Sequence, residues 1–227
     1  MQERLLRRFT GSLIKTVIFD LDGTLIDTEK YYRRFWPLAC EAYGYHMTDE
    51  QALQCRSLGR PFALVLFREW FGEEFDYWKV RSKRKELMEA ELADKGIELK
   101  PGCVEILNWL RDAGYETAIC TANDLERATR YLKQLHLDGY FDKIICATMV
   151  ERGKPAPDSY IYACAQLGRK PEECMAVEDS PNGVNSAYGA GCRVVLVPDQ
   201  DQPDEELMKK LYAKADCLLD IREILRK

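Results

Sequence analysis

Val17-Ile18-Phe19-Asp20-Leu21-Asp22-Gly23-Thr24-Leu25-Ile26-Asp27 is a short apolar run that leads directly into two carboxylates two residues apart and then a glycine turn. In an extended strand, side chains i and i+2 share a side, so Asp20 and Asp22 are expected to face one space at the strand's end. Two anions held that close raise each other's pKa unless a cation or a shared proton intervenes. The bland alternative is an Asx-type turn, since Asp and Gly are common turn residues. The sharper reading is a strand end that carries a metal.

Outward from that stretch, the chain alternates from residue 101 onward. Amphipathic 103–113 precedes strand-like 115–120, and helical 124–136 precedes strand-like 143–146. Helical 157–167 then leads to strand-like 174–177, and helical 181–190 to strand-like 192–197. Short apolar strands alternating with helices imply right-handed crossovers and a parallel sheet with helices on both faces. The expected fold class is therefore α/β, a doubly wound, Rossmann-like core. Ligands in such sheets bind at the carboxyl ends of the strands.

Residues 28–99 interrupt the pattern with aromatic-rich helical stretches near 29–43, 48–56, 61–71 and 74–95 and no convincing strand. The simplest organisation is a core of 1–27 and 100–227 with a helical cap, 28–99, inserted after the first strand. The two connections would lie beside the strand's carboxyl end and act as hinges over the site. Tyr31, Tyr32, Phe35, Trp36, Phe67, Trp70 and Phe71 recur at helical spacing, which reads as packing within the cap.

Composition narrows the function classes. With 33 Lys and Arg against 38 Asp and Glu, the net charge of −5 argues against a general nucleic-acid binder, so an anionic substrate must be met by a local basic pocket. Nine scattered cysteines, no C-x-x-C pair and two histidines read as free thiols in a reducing compartment without a zinc site. Met1–Phe9 has arginines but no apolar core of a leader, and no run approaches the roughly 18 apolar residues of a membrane span. A cytoplasmic protein with no membrane partner is expected, acting as a monomer with a dimer left open.

Four strand ends carry polar residues of particular types. Asp20 and Asp22 follow the first strand, and Thr121-Ala122-Asn123 follows 115–120. Gly153-Lys154-Pro155 lies near the third strand, and 174–177 runs into Glu178-Asp179-Ser180-Pro181. Clustered carboxylates are unstable as bare anions, whereas oxygen ligands with room for water suit Mg²⁺. The Thr121 hydroxyl, nearby backbone N–H groups and Lys154 could hold the far side of a phosphate. Asp20 could then attack phosphorus to form an aspartyl-phosphate, with Asp22 as acid and then base. Lys154 could equally be a loop lysine, and Ser180-Pro181 also reads as a helix N-cap, which is compatible with a functional Asp179.

These four segments, in this order, resemble the motifs of the haloacid dehalogenase superfamily, and the insert resembles the cap of its beta-phosphoglucomutase-like and phosphoglycolate-phosphatase-like branch. The resemblance implies Asp20 as nucleophile and Mg²⁺ ligand, and Asp22 as acid/base and a ligand through its main-chain carbonyl. It implies Asp179 as the further metal ligand and Thr121, Ala122, Asn123 and Lys154 as the phosphate site, with Glu178 in support. Dehalogenases and phosphonatases of the superfamily lack an aspartate at the position of Asp22, so phosphoryl transfer is favoured.

Phosphatase and mutase divide at the cap. Beta-phosphoglucomutases carry a histidine five residues after the aspartate matching Asp27, where this chain has Tyr32, a poorer proton mediator with a pKa near 10. The mutase also has a cap arginine on the distal phosphate, and Arg60 stands at a plausible matching place. Arg84, Arg56 and Lys83 could serve similarly, though each also reads as a solvated helix face. The expected function is a Mg²⁺-dependent phosphatase of a small phosphoester. The alternatives are a sugar-phosphate mutase and a non-catalytic binding protein on this fold.

Overall fold

Among the described residues six parallel strands form one sheet in the order β3-β2-β1-β4-β5-β6, with β1 (Thr16–Phe19) at its centre. The others are β2 (Glu116–Thr121), β3 (Lys143–Cys146), β4 (Cys174–Glu178), β5 (Arg193–Leu196) and β6 (Ala213–Lys214). The computed structural model describes residues 14–226, so the sequence reading of Met1–Phe9 lies outside the described residues. β1 pairs with β2 on one side (Phe19 opposite Ile119) and with β4 on the other (Phe19 opposite Val177). That register brings Asp20, Thr121 and Glu178 to the same edge of the sheet.

Among the described residues ten α-helices accompany the strands. In chain order they are α1 (Glu29–Glu41), α2 (Asp49–Gln54), α3 (Phe62–Phe71), α4 (Tyr77–Lys95) and α5 (Cys103–Ala113), followed by α6 (Leu125–Gln134), α7 (Asp158–Gln166), α8 (Pro181–Ala190), α9 (Glu205–Met208) and α10 (Ile221–Arg226). Alternate residues of each strand point to opposite faces. Val17 and Phe19 pack with residues of α5, α6 and α10, while Ile18 packs with residues of α7, α8 and α9. Both faces are thus covered, the condition under which an all-parallel sheet is stable. The sequence alternation did not extend to β6, α9 and α10. A two-residue strand and helices of four and six residues are too short to show a period.

All regular structure between residues 29 and 95 is helical. Phe67 is fully buried at its centre, with the rings of Trp36, Tyr77, Phe75 and Trp70 at 4.8–5.5 Å. Tyr31 and Phe35, on the other side of α1, pack instead into the core cluster with Met88 and Leu92. One amphipathic helix therefore joins cap to core.

The two connections run side by side. Asp27 N–H donates to Glu98 O at 2.8 Å and Lys100 N–H to Leu25 O at 2.9 Å. On the opposite side the cap rests on the core through reciprocal backbone bonds, Gly59 N–H to Lys154 O and Gly153 N–H to Arg60 O, both 2.7 Å. Asn182 Nδ2 donates to the carbonyls of Gln54 and Arg56, and Arg56 Nη2 to Asp201 Oδ1 at 2.6 Å. The cap is therefore docked. All nine cysteines are free, and among the described residues no helix is long and apolar enough to cross a membrane.

Candidate active site

Lys154 is buried at the crossing of three strand ends. Its Nζ donates to Asp20 Oδ1 at 2.7 Å, Glu178 Oε1 at 2.6 Å and Cys120 O at 2.9 Å, which uses all three ammonium protons. Burial works against that charge, but the Asp20 and Glu178 carboxylates outweigh it and push the lysine's pKa up. Tyr160, fully buried on α7, adds a donor to Glu178 Oε1 at 2.6 Å. A loop lysine that merely faced water would have none of these partners.

Three carboxylates converge beside it. Oxygens of Asp20, Glu178 and Asp179 lie within 4.8 Å of one another, and all three residues are buried. Asp20 Oδ2, Glu178 Oε2 and Asp179 Oδ2 have no hydrogen-bond partner among the described residues, nor has Oε2 of the neighbouring Glu29. Burial, then the charges of Asp20 and Glu178, drive the Asp179 pKa well above the carboxylate range. Burial, then Asp179 and Asp22, do the same to Glu29, and burial pushes Glu178 up to about 7 against the pull of Lys154. Orphaned buried oxygens cost free energy, and an all-oxygen donor set suits a hard dication such as Mg²⁺.

The backbone is fitted closely to these acids. A Cβ on Gly23, which has φ +81°, would lie 2.4 Å from Asp179 Oδ2, and one on Gly183 would lie 1.9 Å from Glu178 Oε2. Ser180 caps α8 by accepting from Gly183 N–H at 3.2 Å and leaves Asp179 free to face the cluster.

Asp22 is placed differently from the sequence expectation of one shared space. Its side chain is outside the convergent trio, in which Glu178 takes the third place. Asp22 Oδ1 accepts from Thr28 Oγ1 at 2.6 Å and Oδ2 from Asn123 Nδ2 at 2.5 Å. Burial raises its pKa, the Thr28 bond lowers it, and the Asp20 charge raises it again. Thr121 Oγ1 accepts from Asn123 N–H at 3.1 Å, which sets the turn that follows β2.

Above the acids lies a cavity of about 250 Å³ between cap and core. Asp22, Ala122, Asn123 and Glu29 line one end; Tyr32, Arg60 and Arg84 line the cap side. Lys83 pairs with Glu86 and is not among the lining residues. Tyr32 is held by Asn123 Oδ1 at 3.2 Å and Arg127 Nη1 at 3.1 Å, and burial pushes its phenol up to about 12.

Sequence reasoning did not find Thr28, Glu29, Arg127 or Tyr160. Arg127 carried a signal: it falls among Ala128, Tyr131 and Leu132 on the buried face of α6, where an unpaired charge is out of place.

The family model for haloacid dehalogenase-like hydrolases matches residues 14–191. Hexitol phosphatase A of Escherichia coli is 34% identical over 185 residues, 81% of this chain and 82% of that protein. The phosphorylated carbohydrates phosphatase of Thermotoga maritima is 30% identical over 217 residues, 93% and 97% of the two chains. Among solved structures, a mutant of CbbY from Rhodobacter sphaeroides in complex with xylulose-(1,5)bisphosphate aligns with a TM-score of 0.78 at 26% identity, covering 93% of this chain and 99% of that one. The match over most of the chain, together with a buried Lys154–Asp20–Glu178 site at the strand ends, places this chain among the haloacid dehalogenase-like hydrolases.

Proposed function

We propose that the chain is a Mg²⁺-dependent phosphatase that hydrolyses a small phosphorylated metabolite through an aspartyl-phosphate. The observation that carries this reading is Asp20 itself. Lys154 fixes one of its oxygens at 2.7 Å, while the other is buried, without a partner among the described residues, beside Asp179 and Glu178. A carboxylate pinned by one oxygen and unengaged at the other is oriented for attack. Relatives named as phosphatases at 30–34% identity support the reaction class.

Asp20 and Asp179 would hold the ion, with the Asp22 main-chain carbonyl, and Mg²⁺ bound there supplies positive charge beside the transferred phosphoryl group. In the first step Asp20 Oδ2 forms a bond to phosphorus as the bond to the leaving oxygen breaks, and Asp22 gives that oxygen a proton. In the second, Asp22 takes a proton from water as the water oxygen bonds phosphorus and Asp20 is released. The Thr121 hydroxyl and the backbone N–H of Ala122 would carry phosphoryl oxygens, with the Lys154 charge, held by Asp20, Glu178 and the Cys120 carbonyl, beside them. Glu178, tied to Lys154 and Tyr160, keeps the ammonium in place.

Tyr32 argues for hydrolysis over mutase chemistry. A phenol pushed up to about 12 does not exchange protons readily near neutral pH. The test measures phosphate release from p-nitrophenyl phosphate with and without Mg²⁺, and again in Asp20→Asn. Loss of turnover by about 10³-fold or more is expected. Activity retained in that variant sinks the nucleophile, and conversion of a hexose 1-phosphate to its 6-phosphate faster than hydrolysis favours the mutase.

A further inference from the structure

Four of the nine thiols, Cys120, Cys164, Cys174 and Cys192, belong to the core cluster between the sheet and helices α7 and α8. Three of them meet at the edge of the sheet opposite Asp20 and Lys154. Cys174 opens β4, Cys192 lies just before β5, and Cys164 sits on α7. Cys164 Sγ and Cys192 Sγ are 3.8 Å apart, and both residues are buried. Cys174 is hydrogen-bonded to Cys164, and its Sγ lies 3.6 Å from the Lys170 carbonyl. Cys164 is thus the thiol common to both sulfur contacts.

An isolated buried cysteine behaves as a small apolar group. A sulfur in contact with two other sulfurs has a second chemistry open to it. The S–H groups of Cys174 and Cys192 draw the Cys164 pKa down against burial, while contact with Cys164 pushes both of theirs up. Thiolate character therefore collects on Cys164, and the thiolate is the nucleophile. Cys192 keeps 7% of its surface exposed, and the chain neighbours Ala165 and Gly191 are open to solvent, so a small oxidant has a short way in. A covalent bond needs the two sulfurs to close by about 1.8 Å, within the swing of a cysteine side chain. The trio is not a cation cage: among the described residues the acidic or thiol groups that converge within 4.8 Å are Asp20, Glu178 and Asp179. The arrangement suits a bond between two sulfurs.

We propose that Cys164 and Cys192 form a thiol oxidation site, which a hydroperoxide converts to a reversible disulfide joining α7 to the turn before β5. Cys164, its proton lost to water, attacks the distal oxygen of the hydroperoxide. The O–O bond breaks, and the departing oxygen takes a proton and leaves as water or an alcohol. Cys192 Sγ then attacks the sulfur of the Cys164 sulfenic acid. The S–S bond forms, the S–O bond breaks, and the hydroxide leaves as water with the Cys192 proton. The two thiols give up two electrons, and the peroxide takes them. Cys174 is a second resolving thiol, able to attack the same sulfenic acid when Cys192 is absent. The site is independent of the phosphatase reading, because none of its three thiols touches the proposed substrate.

The test treats the fully reduced, folded chain with hydrogen peroxide, removes the oxidant, and alkylates the remaining thiols in denaturant. Mass spectrometry follows digestion with trypsin and a glutamyl endopeptidase, the second because Glu178 lies between Cys174 and Cys192. Wild type should lose two of its nine alkylatable thiols, with the peptides of Cys164 and Cys192 joined, and dithiothreitol should restore both. In Cys192→Ala the bond should move to Cys164 and Cys174. In Cys164→Ala all eight remaining thiols should stay free under the same treatment. Digestion of wild type decides by itself where a variant does not fold. Retention of all nine thiols in wild type overturns the site. So does a bond there between any other two cysteines, or conversion of Cys164 to a sulfinic acid that leaves Cys192 free.

Discussion

Asn123 joins Tyr32 to Asp22: its amide nitrogen donates to Asp22 Oδ2 at 2.5 Å while its amide oxygen accepts from the Tyr32 hydroxyl at 3.2 Å. The Tyr32 hydroxyl in turn accepts from Arg127 Nη1, and Arg127 Nη2 bonds Glu89 on α4. Two cap helices therefore meet the turn that orients Asp22. The Asn123 bond favours the ionised form of Asp22 and holds its pKa down against burial. Asn123→Ala should therefore move that pKa further up. The alkaline limb of the kcat profile, where the acid loses its proton, should shift to higher pH with kcat reduced about tenfold. Tyr32→Phe should shift the same limb in the same direction by less, since it loosens Asn123 and removes no donor from Asp22. A pH profile of kcat for the three proteins decides, and coincident alkaline limbs would show that Asn123 does not tune Asp22.

Metal-free stability should fall as pH rises. The ordinary values of Asp179 and Glu29 are 3.8 and 4.5, and burial beside other acids raises both well above these in the folded chain. A carboxyl group whose folded pKa is raised contributes stability that is present below its unfolded value and lost as pH climbs through the folded one. Glu178, pushed up to about 7, places part of that loss in the neutral range. Calorimetry in a chelator should give a lower Tm at pH 8 than at pH 5, and Mg²⁺ should raise Tm more at pH 8, because binding displaces protons at the lower pH. A Tm in chelator that is flat or rises over that interval contradicts the clustered-acid reading.

The legible parts of the site were those close to strand ends. Asp20, Lys154 and Glu178 each sit within a few residues of an apolar run, so the period-2 pattern and the acidic spacing located them together. Glu29, Arg127 and Tyr160 come from helices whose faces meet only in three dimensions. The cap was harder. α4 carries charge almost all the way round, so its spacing could not show that Arg84 turns inward and Lys83 outward. Arg84 lies against the rings of Tyr32 and Trp36 on α1, long-range contacts that no local pattern encodes. The side-chain direction of Asp22 was likewise set by partners outside its own stretch, Thr28 and Asn123.

Gly183→Ala tests how tightly Glu178 is held. The new methyl would lie 1.9 Å from Glu178 Oε2, so the carboxylate must leave its place and loosen the bonds from Lys154 and Tyr160. Overpacking of this kind costs about 1–3 kcal/mol. Thermal unfolding should show a loss of that size, and kcat should fall because the Lys154 ammonium is no longer fixed. A variant with wild-type Tm and kcat would mean that Glu178 has room to move.

Gly59→Ala tests cap docking, through a contact that no rotamer change can relieve. A Cβ at residue 59 would lie 2.7 Å from Gly153 Cα and 2.9 Å from Gly153 C, backbone against backbone. The same approach carries the reciprocal bonds Gly59 N–H to Lys154 O and Gly153 N–H to Arg60 O. One methyl thus separates the segment bearing Arg60 from the loop bearing Lys154. The cap's interior, packed around Phe67, is left intact, so the unfolding transition should change little. If the docked helices enclose the substrate over Asp20, as the proposed function requires, kcat/KM should fall about 10- to 100-fold. The loss should be smaller for p-nitrophenyl phosphate than for a sugar phosphate that fills the cavity, because a small aryl ester gains less from the closed cap. Steady-state kinetics on the two substrates, with calorimetry on the same samples, separates this outcome from misfolding. An unchanged kcat/KM on both would show that turnover does not require the docked cap.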